Sequence, residues 1–106
     1  MLEDFTIKTS VVADGTVTVG GTATALSVAD VVTLVLKTNY DDTDAEAVLT
    51  CIASHLVATG GVRFTLSPTL TDIDAGTYHE EIKWTVGTDV YILETSRVTV
   101  NKRIFD

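Results

Sequence analysis

The chain has one cysteine, one proline and one tryptophan in 106 residues, and only seven Lys and Arg stand against fifteen Asp and Glu. A lone cysteine, Cys51, cannot close an intramolecular disulfide, so stability must come from burial, which suits folding in a reducing cytosol. The scarcity of bases, with a formal charge of −8 and a pI near 4.4, argues against nucleic acid and against an anionic membrane, since both need Lys and Arg to neutralise phosphates. Long apolar runs are missing too. The best, Val31 to Leu36, is interrupted by Thr33 and falls far short of the ~20 residues that cross a bilayer. The opening Met1-Leu2-Glu3-Asp4 lacks the basic start and apolar centre of a secretory signal, so export by that route is not expected.

What the chain does have is β-branched residues: nineteen Thr and fifteen Val. Such side chains pack well on a pleated surface and are indifferent helix formers, which predicts an all-β fold. The length suits one domain spanning residues 1–106. Turn signals recur at even spacing, at Asp14-Gly15, Gly20-Gly21, Asn39 to Asp44, Gly60-Gly61, Asp74 to Gly76 and Gly87 to Asp89. Short β-rich runs so punctuated read as a sandwich or barrel.

Local patterns place the strands. Phe5 to Val12 puts Phe5, Ile7 and Val11 on one face, and Asp14-Gly15 suits a tight turn into Thr16 to Val19. Residues 5–19 are therefore either a hairpin or a strand that changes sheets. Val31 to Lys37, apolar on both faces apart from Thr33, is the expected central strand. From Glu46 to Ser54 a strand is favoured over a helix across Asp44 to Leu56, because Val48, Thr50 and Ile52 are β-branched. Val62 to Leu66 is another strand, and Ser67-Pro68 opens one short helical turn, to Ile73, that crosses between sheets. Tyr78, Ile82, Trp84 and Val86 share a face, opposite His79, Glu81, Lys83 and Thr85, with Glu80 on the apolar side as the exception. Gly87 to Asp89 turns this strand into Val90 to Val100, predicting a C-terminal hairpin. Ile104 and Phe105, close to the end, are expected to pack onto this domain or a neighbour.

Asp74-Ala75-Gly76-Thr77-Tyr78 is a DxGxY motif entering a strand. In immunoglobulin-like sandwiches this spacing marks the tyrosine corner, where a Tyr hydroxyl returns to the backbone just upstream. The position two residues on, a Cys in disulfide-bonded immunoglobulin domains, is Glu80 here. The chain resembles the small immunoglobulin-like domains of tailed-phage virions, such as the N-terminal domain of baseplate upper proteins and related tail or neck proteins. The resemblance runs from about Phe5 to Val100 through the Asp14-Gly15 turn, a Leu26-Ser27 to Lys37 strand, an acidic loop at Asp41 to Glu46, the Gly61 to Ser67 strand and the Leu70 to Tyr78 corner. It implies an antiparallel immunoglobulin-like β-sandwich of seven or eight strands. It also implies a structural, non-enzymatic virion component of tail, baseplate or neck, made in the host cytoplasm and bound to other virion proteins in a symmetric ring or shell. The family brings no catalytic residues. Asp74, Gly76 and Tyr78, with Trp84 in the core, are the structural corner.

Other chemistry is weakly signalled. Cys51 and His55, the one close nucleophile and base pair, would stand about 13 Å apart along a strand, too far to hydrogen bond. Asp41, Asp42, Asp44 and Glu46 are the kind of oxygen cluster that can hold calcium, but Glu46 and Ile52 stand where a helix-loop-helix site needs Gly and Glu, and a solvated loop is expected. Asp72 and Asp74 suit capping better than cation binding. His55 and His79 have no zinc-ligand spacing with Cys51, and no glycine-rich loop suits a phosphate. No cofactor or metal is expected. Capsid decoration is the alternative role, and a carbohydrate or host-surface module the third, with Tyr40 and Tyr91 as exposed aromatics and Trp84 read as core.

Overall fold

The computed structural model describes residues 1–103. The expected packing of Ile104 and Phe105 lies outside them. Among the described residues ten strands form: β1 (Phe5–Thr6), β2 (Val11–Thr16), β3 (Thr18–Val19), β4 (Thr22–Ala23), β5 (Val31–Lys37), β6 (Leu49–Ile52), β7 (Ser54–His55), β8 (Gly61–Leu66), β9 (Gly76–Val86) and β10 (Asp89–Asn101). The fold is all-β and sandwich-like. A five-stranded sheet in the order β1-β10-β9-β5-β6 shares one core with a three-stranded sheet, β2-β8-β7, while β3 and β4 make a separate ribbon. The strand count exceeds the expected seven or eight because the chain breaks its edges into two-residue pieces. Nor is the pairing wholly antiparallel, since β1 runs parallel to β10.

The long strands follow the alternation. In β8, Val62, Phe64 and Leu66 are buried while Arg63 and Thr65 face out. Strand β5 lies between β9 and β6 and is buried on both faces, with Val32, Leu34 and Leu36 in the core and Val35 and Lys37 buried on the other side. The strand starts at Val31, not Leu26. Ser27 to Asp30 is instead a turn in which the Asp30 carboxylate accepts from the Ser27 N–H at 3.1 Å. Strands β9 and β10 form the expected hairpin across Gly87-Thr88, with Gly87 left-handed at φ 60°, the glycine-first pattern of a type II′ connection. After Asp44–Glu46, a single 3-10 turn, β6 is a strand as favoured.

Segment Phe5 to Val12 is not one strand. The chain leaves the large sheet after Thr6, turns through Lys8 at φ 58°, and joins the small sheet at Val11. Asp14-Gly15 is no turn: both residues lie inside β2, opposite Arg63 and Val62. Of the two readings of residues 5–19, the sheet-changing strand is the one observed. Thr71, fully buried, holds the switch in place. Its hydroxyl donates to the Thr9 carbonyl at 2.7 Å and accepts from the Thr9 N–H at 3.0 Å, and its own carbonyl accepts from the Lys8 N–H at 3.3 Å. Thr71 stands in the turn after Pro68, where the Ser67 hydroxyl accepts from the Leu70 N–H at 3.2 Å and the Ser67 carbonyl from the Thr71 N–H at 3.0 Å. The crossing turn thus also clamps the first strand.

Candidate functional site

At the start of β9 the Tyr78 hydroxyl donates to the Asp74 carbonyl at 2.5 Å. Burial, then the charge of Asp74, raises the phenol above its usual pKa, so the proton stays where the bond needs it. Gly76 enters the strand at φ 159°. Trp84, six residues beyond Tyr78, lies on the same face but at the rim, half-buried against the core. Its ring meets Tyr91 of β10 at 5.4 Å between centroids. The two rings, with Val19, Val86 and Leu93, line an apolar groove of about 420 Å³. The Trp84 indole N–H is buried there without a hydrogen-bond partner among the described residues.

Glu80 faces inward and is buried. It accepts from the Met1 ammonium at 2.5 Å, the Leu2 N–H at 2.8 Å and the Ser96 hydroxyl at 3.0 Å. The ammonium also pairs with Glu94 at 3.1 Å. Burial works against its charge, but the hydrogen bonds to Glu80 and Glu94 prevail and raise its pKa.

The acids of the Asp41 to Glu46 loop are engaged locally. Asp44 pairs with Lys37 at 3.0 Å and also with Lys83, while Asp42 accepts from the Asn39 N–H at 3.0 Å. Glu46 accepts from the N–H and hydroxyl of Thr43, each at 2.9 Å. Burial, then the neighbouring Lys37, lowers the Lys83 pKa. Together these contacts tie the loop to Lys37 of β5 and Lys83 of β9, while most of its residues stay exposed, as expected of a solvated loop. Among the described residues no three of His, Cys, Asp and Glu converge as a metal site would require.

Cys51 and His55 do not share a strand. The chain changes sheets between them, so the thiol sits in the core near the Thr65 carbonyl, at 3.6 Å, while His55 Nε2 meets the Asp30 carbonyl at 2.9 Å. Burial pushes the thiol pKa up, the wrong direction for a nucleophile. His79 is on the outer face, edge-on to Tyr40 at 5.8 Å.

The clearest surface feature is a difference between the two ends of the sandwich. The strand registers put the end of β2, the starts of β5 and β8 and the β9–β10 turn at one end. The bonds Val17 N–H to Gly60 carbonyl, at 2.8 Å, and His55 to Asp30 tie the loops there together. Val28 and Val57 in these loops are fully exposed, and Val19 is largely so. The strand ends add Val31 and Ile52, and β10 adds Val90, Tyr91 and Ile92. Across residues 17–30, 52–61 and 86–92 the only acids are Asp30 and Asp89, and no Lys or Arg occurs. At the other end, the loop 38–48 carries Asp41, Asp42, Asp44 and Glu46, and the loop 67–75 carries Asp72 and Asp74. Sequence reading missed this asymmetry, because it exists only once the loops are brought together. The one signal available was the scarcity of charge across the three segments.

No protein-family model, curated protein or solved structure matches the chain.

Proposed function

We propose that this chain is a non-enzymatic immunoglobulin-like module that works as a structural component of a tailed-phage virion, in the tail, baseplate or neck, through protein contacts in a symmetric assembly. The observation that carries the assembly role is the charge-poor end with its fully exposed Val28 and Val57. Exposed apolar residues gathered at a charge-poor end suit an interaction site, since the core of a protein interface is depleted in charge. The immunoglobulin-like reading is supported by strand order: β10-β9-β5 follows the G-F-C order of such sandwiches and β2-β8-β7 the B-E-D order. The Tyr78 to Asp74 bond fits the tyrosine corner. The virion setting rests on the resemblance of Phe5 to Val100 to phage domains. In an assembly of many copies, even a weak contact gains from repetition.

Particles grown with a Val28→Asp/Val57→Asp variant test the reading. The variant is expected to fold with an unchanged melting profile yet be lost from purified virions, while the wild type is retained and localises to a ring by imaging. Wild-type chain absent from the particles would reject the virion setting, and normal incorporation of the variant would reject the apolar end as its attachment face. The Trp84–Tyr91 pair favours a second reading, a carbohydrate-stacking groove. Glycan-array binding abolished by Tyr91→Ala, with folding kept, would select it.

A further inference from the structure

Strand β10 has one side paired along its length with β9, while on the other side β1 covers only Val100 and Asn101. The segment Met1 to Asp4 then runs beside the next part of β10, where the Asp4 carboxylate accepts from the Thr99 N–H at 2.9 Å and the Met1 ammonium reaches Glu94. From Asp89 to Leu93 no strand pairs with the outer edge among the described residues. Exposed edges of this kind are templates for another strand, and proteins usually blunt them with charge or proline. This one is apolar: Val90, Tyr91 and Ile92 are 56%, 49% and 54% exposed.

We infer that this edge pairs antiparallel with the same edge of a second copy, around a two-fold axis at Tyr91. A β-bulge fixes the register. The pairing of β10 with β9 shifts between Ile92 and Glu94, leaving Leu93 as the extra residue, and a bulge bends and twists its strand. The run open to a partner therefore extends from Asp89 to the bulged Leu93, and its midpoint is Tyr91. In that register Val90 of each copy lies opposite Ile92 of the other, on the face that carries Thr85 and Lys83 of β9. Tyr91 lies opposite its own copy on the face of Trp84. Asp89 meets Leu93, so no two acids face each other inside the paired run. The contact is isologous and closes at two copies, joining two five-stranded sheets into one of ten. It does not depend on the virion setting.

Sedimentation equilibrium up to millimolar protein is the test. A concentration-dependent dimer is expected, tighter at high salt, because two chains of charge −8 repel across a distance that salt screens. Ile92→Lys is expected to weaken it roughly tenfold or more with folding intact, as for a central interface residue, and Val28→Lys to leave it unchanged. A chain that stays monomeric at every concentration and salt overturns the inference. So does a dimer lost in Val28→Lys but kept in Ile92→Lys, an outcome that would leave the apolar-end reading standing. Because Ile92 substitution touches the hairpin, oxidation of Tyr91→Cys provides a second readout. Directly opposed residues have Cβ atoms about 4.5–5.5 Å apart, so this variant is expected to cross-link far faster than Val57→Cys. Equal rates would likewise overturn the two-fold placement.

Discussion

A carboxylate turned into a sandwich core is stable only when its oxygens meet donors, and Glu80 meets three, from Met1, Leu2 and Ser96. Alternation along the strand marks Glu80 as an anomaly, and the structure supplies the compensation: the amino group of the chain lies against it. Glu80→Ala leaves that ammonium partly buried, with Glu94 as its remaining counter-charge among the described residues. The expected loss is about 3 kcal/mol, the scale of breaking a buried ion pair, read from urea denaturation. Asp14 and Arg63 form the contrasting pair, bidentate at 2.7 and 2.9 Å but exposed. The hydrogen bond from Arg63 holds the Asp14 carboxyl below its usual 3.8. A depressed carboxylate contributes stability above its unfolded pKa and loses it as pH falls through the folded value. Asp14→Asn is therefore expected to lower the melting temperature slightly at neutral pH, and the difference from wild type to vanish in strong acid. A melting series across pH checks the sign.

Two glycines share a left-handed backbone but differ in what surrounds them. Gly60, at φ 71°, joins β7 to β8, and a Cβ there would stand 2.7 Å from the Val17 carbonyl oxygen and 2.9 Å from that of Thr24. Gly20, at φ 60° in the β3–β4 turn, has nothing within 4 Å of the same position among the described residues. Gly20→Ala is expected to cost about 1–2 kcal/mol, the left-handed penalty alone. Gly60→Ala is expected to cost clearly more, since backbone must move as well, and paired chemical denaturation curves measure the difference. The glycine signals were readable as breaks in the chain, but their unequal importance was not, because it depends on contacts with residues far along the sequence. Strands β5, β8 and β9 were legible since their own side chains alternate or are largely apolar, and β10 since a glycine turn leads β9 into a segment long enough to pair with it. By contrast, Asp14-Gly15 has the composition of a turn, yet pairing with β8 and the Arg63 contact keep it extended, and the Met1 side chain occupies the space beside Gly15. Nothing at Lys8 announces a left-handed residue. That break is imposed by Thr71, sixty-odd positions away.

Across the whole molecule, the extents of 42 × 30 × 22 Å describe an elongated body with two unlike ends. Acids gather at one end and valines at the other, so most of the excess negative charge lies away from the apolar end. Of the candidate sites read from sequence, the corner residues lie together at the start of β9, whereas Trp84 belongs to the groove at the far end of that strand. The acidic loop is tied to Lys37 and Lys83; alternation had placed Lys83 opposite the apolar face without revealing its partner.

Cys51 also makes the molecule its own clock. The thiol is 6% exposed, in the strand that ends at Ile52 beside the apolar end, so a thiol reagent reaches it only when the sandwich opens. Where reclosing is faster than reaction, the labelling rate reports the free energy of that opening. Labelling of the free chain is expected to be slow and to accelerate in Gly60→Ala. Engagement of the apolar end should slow it further, which mass spectrometry can follow without introducing a probe.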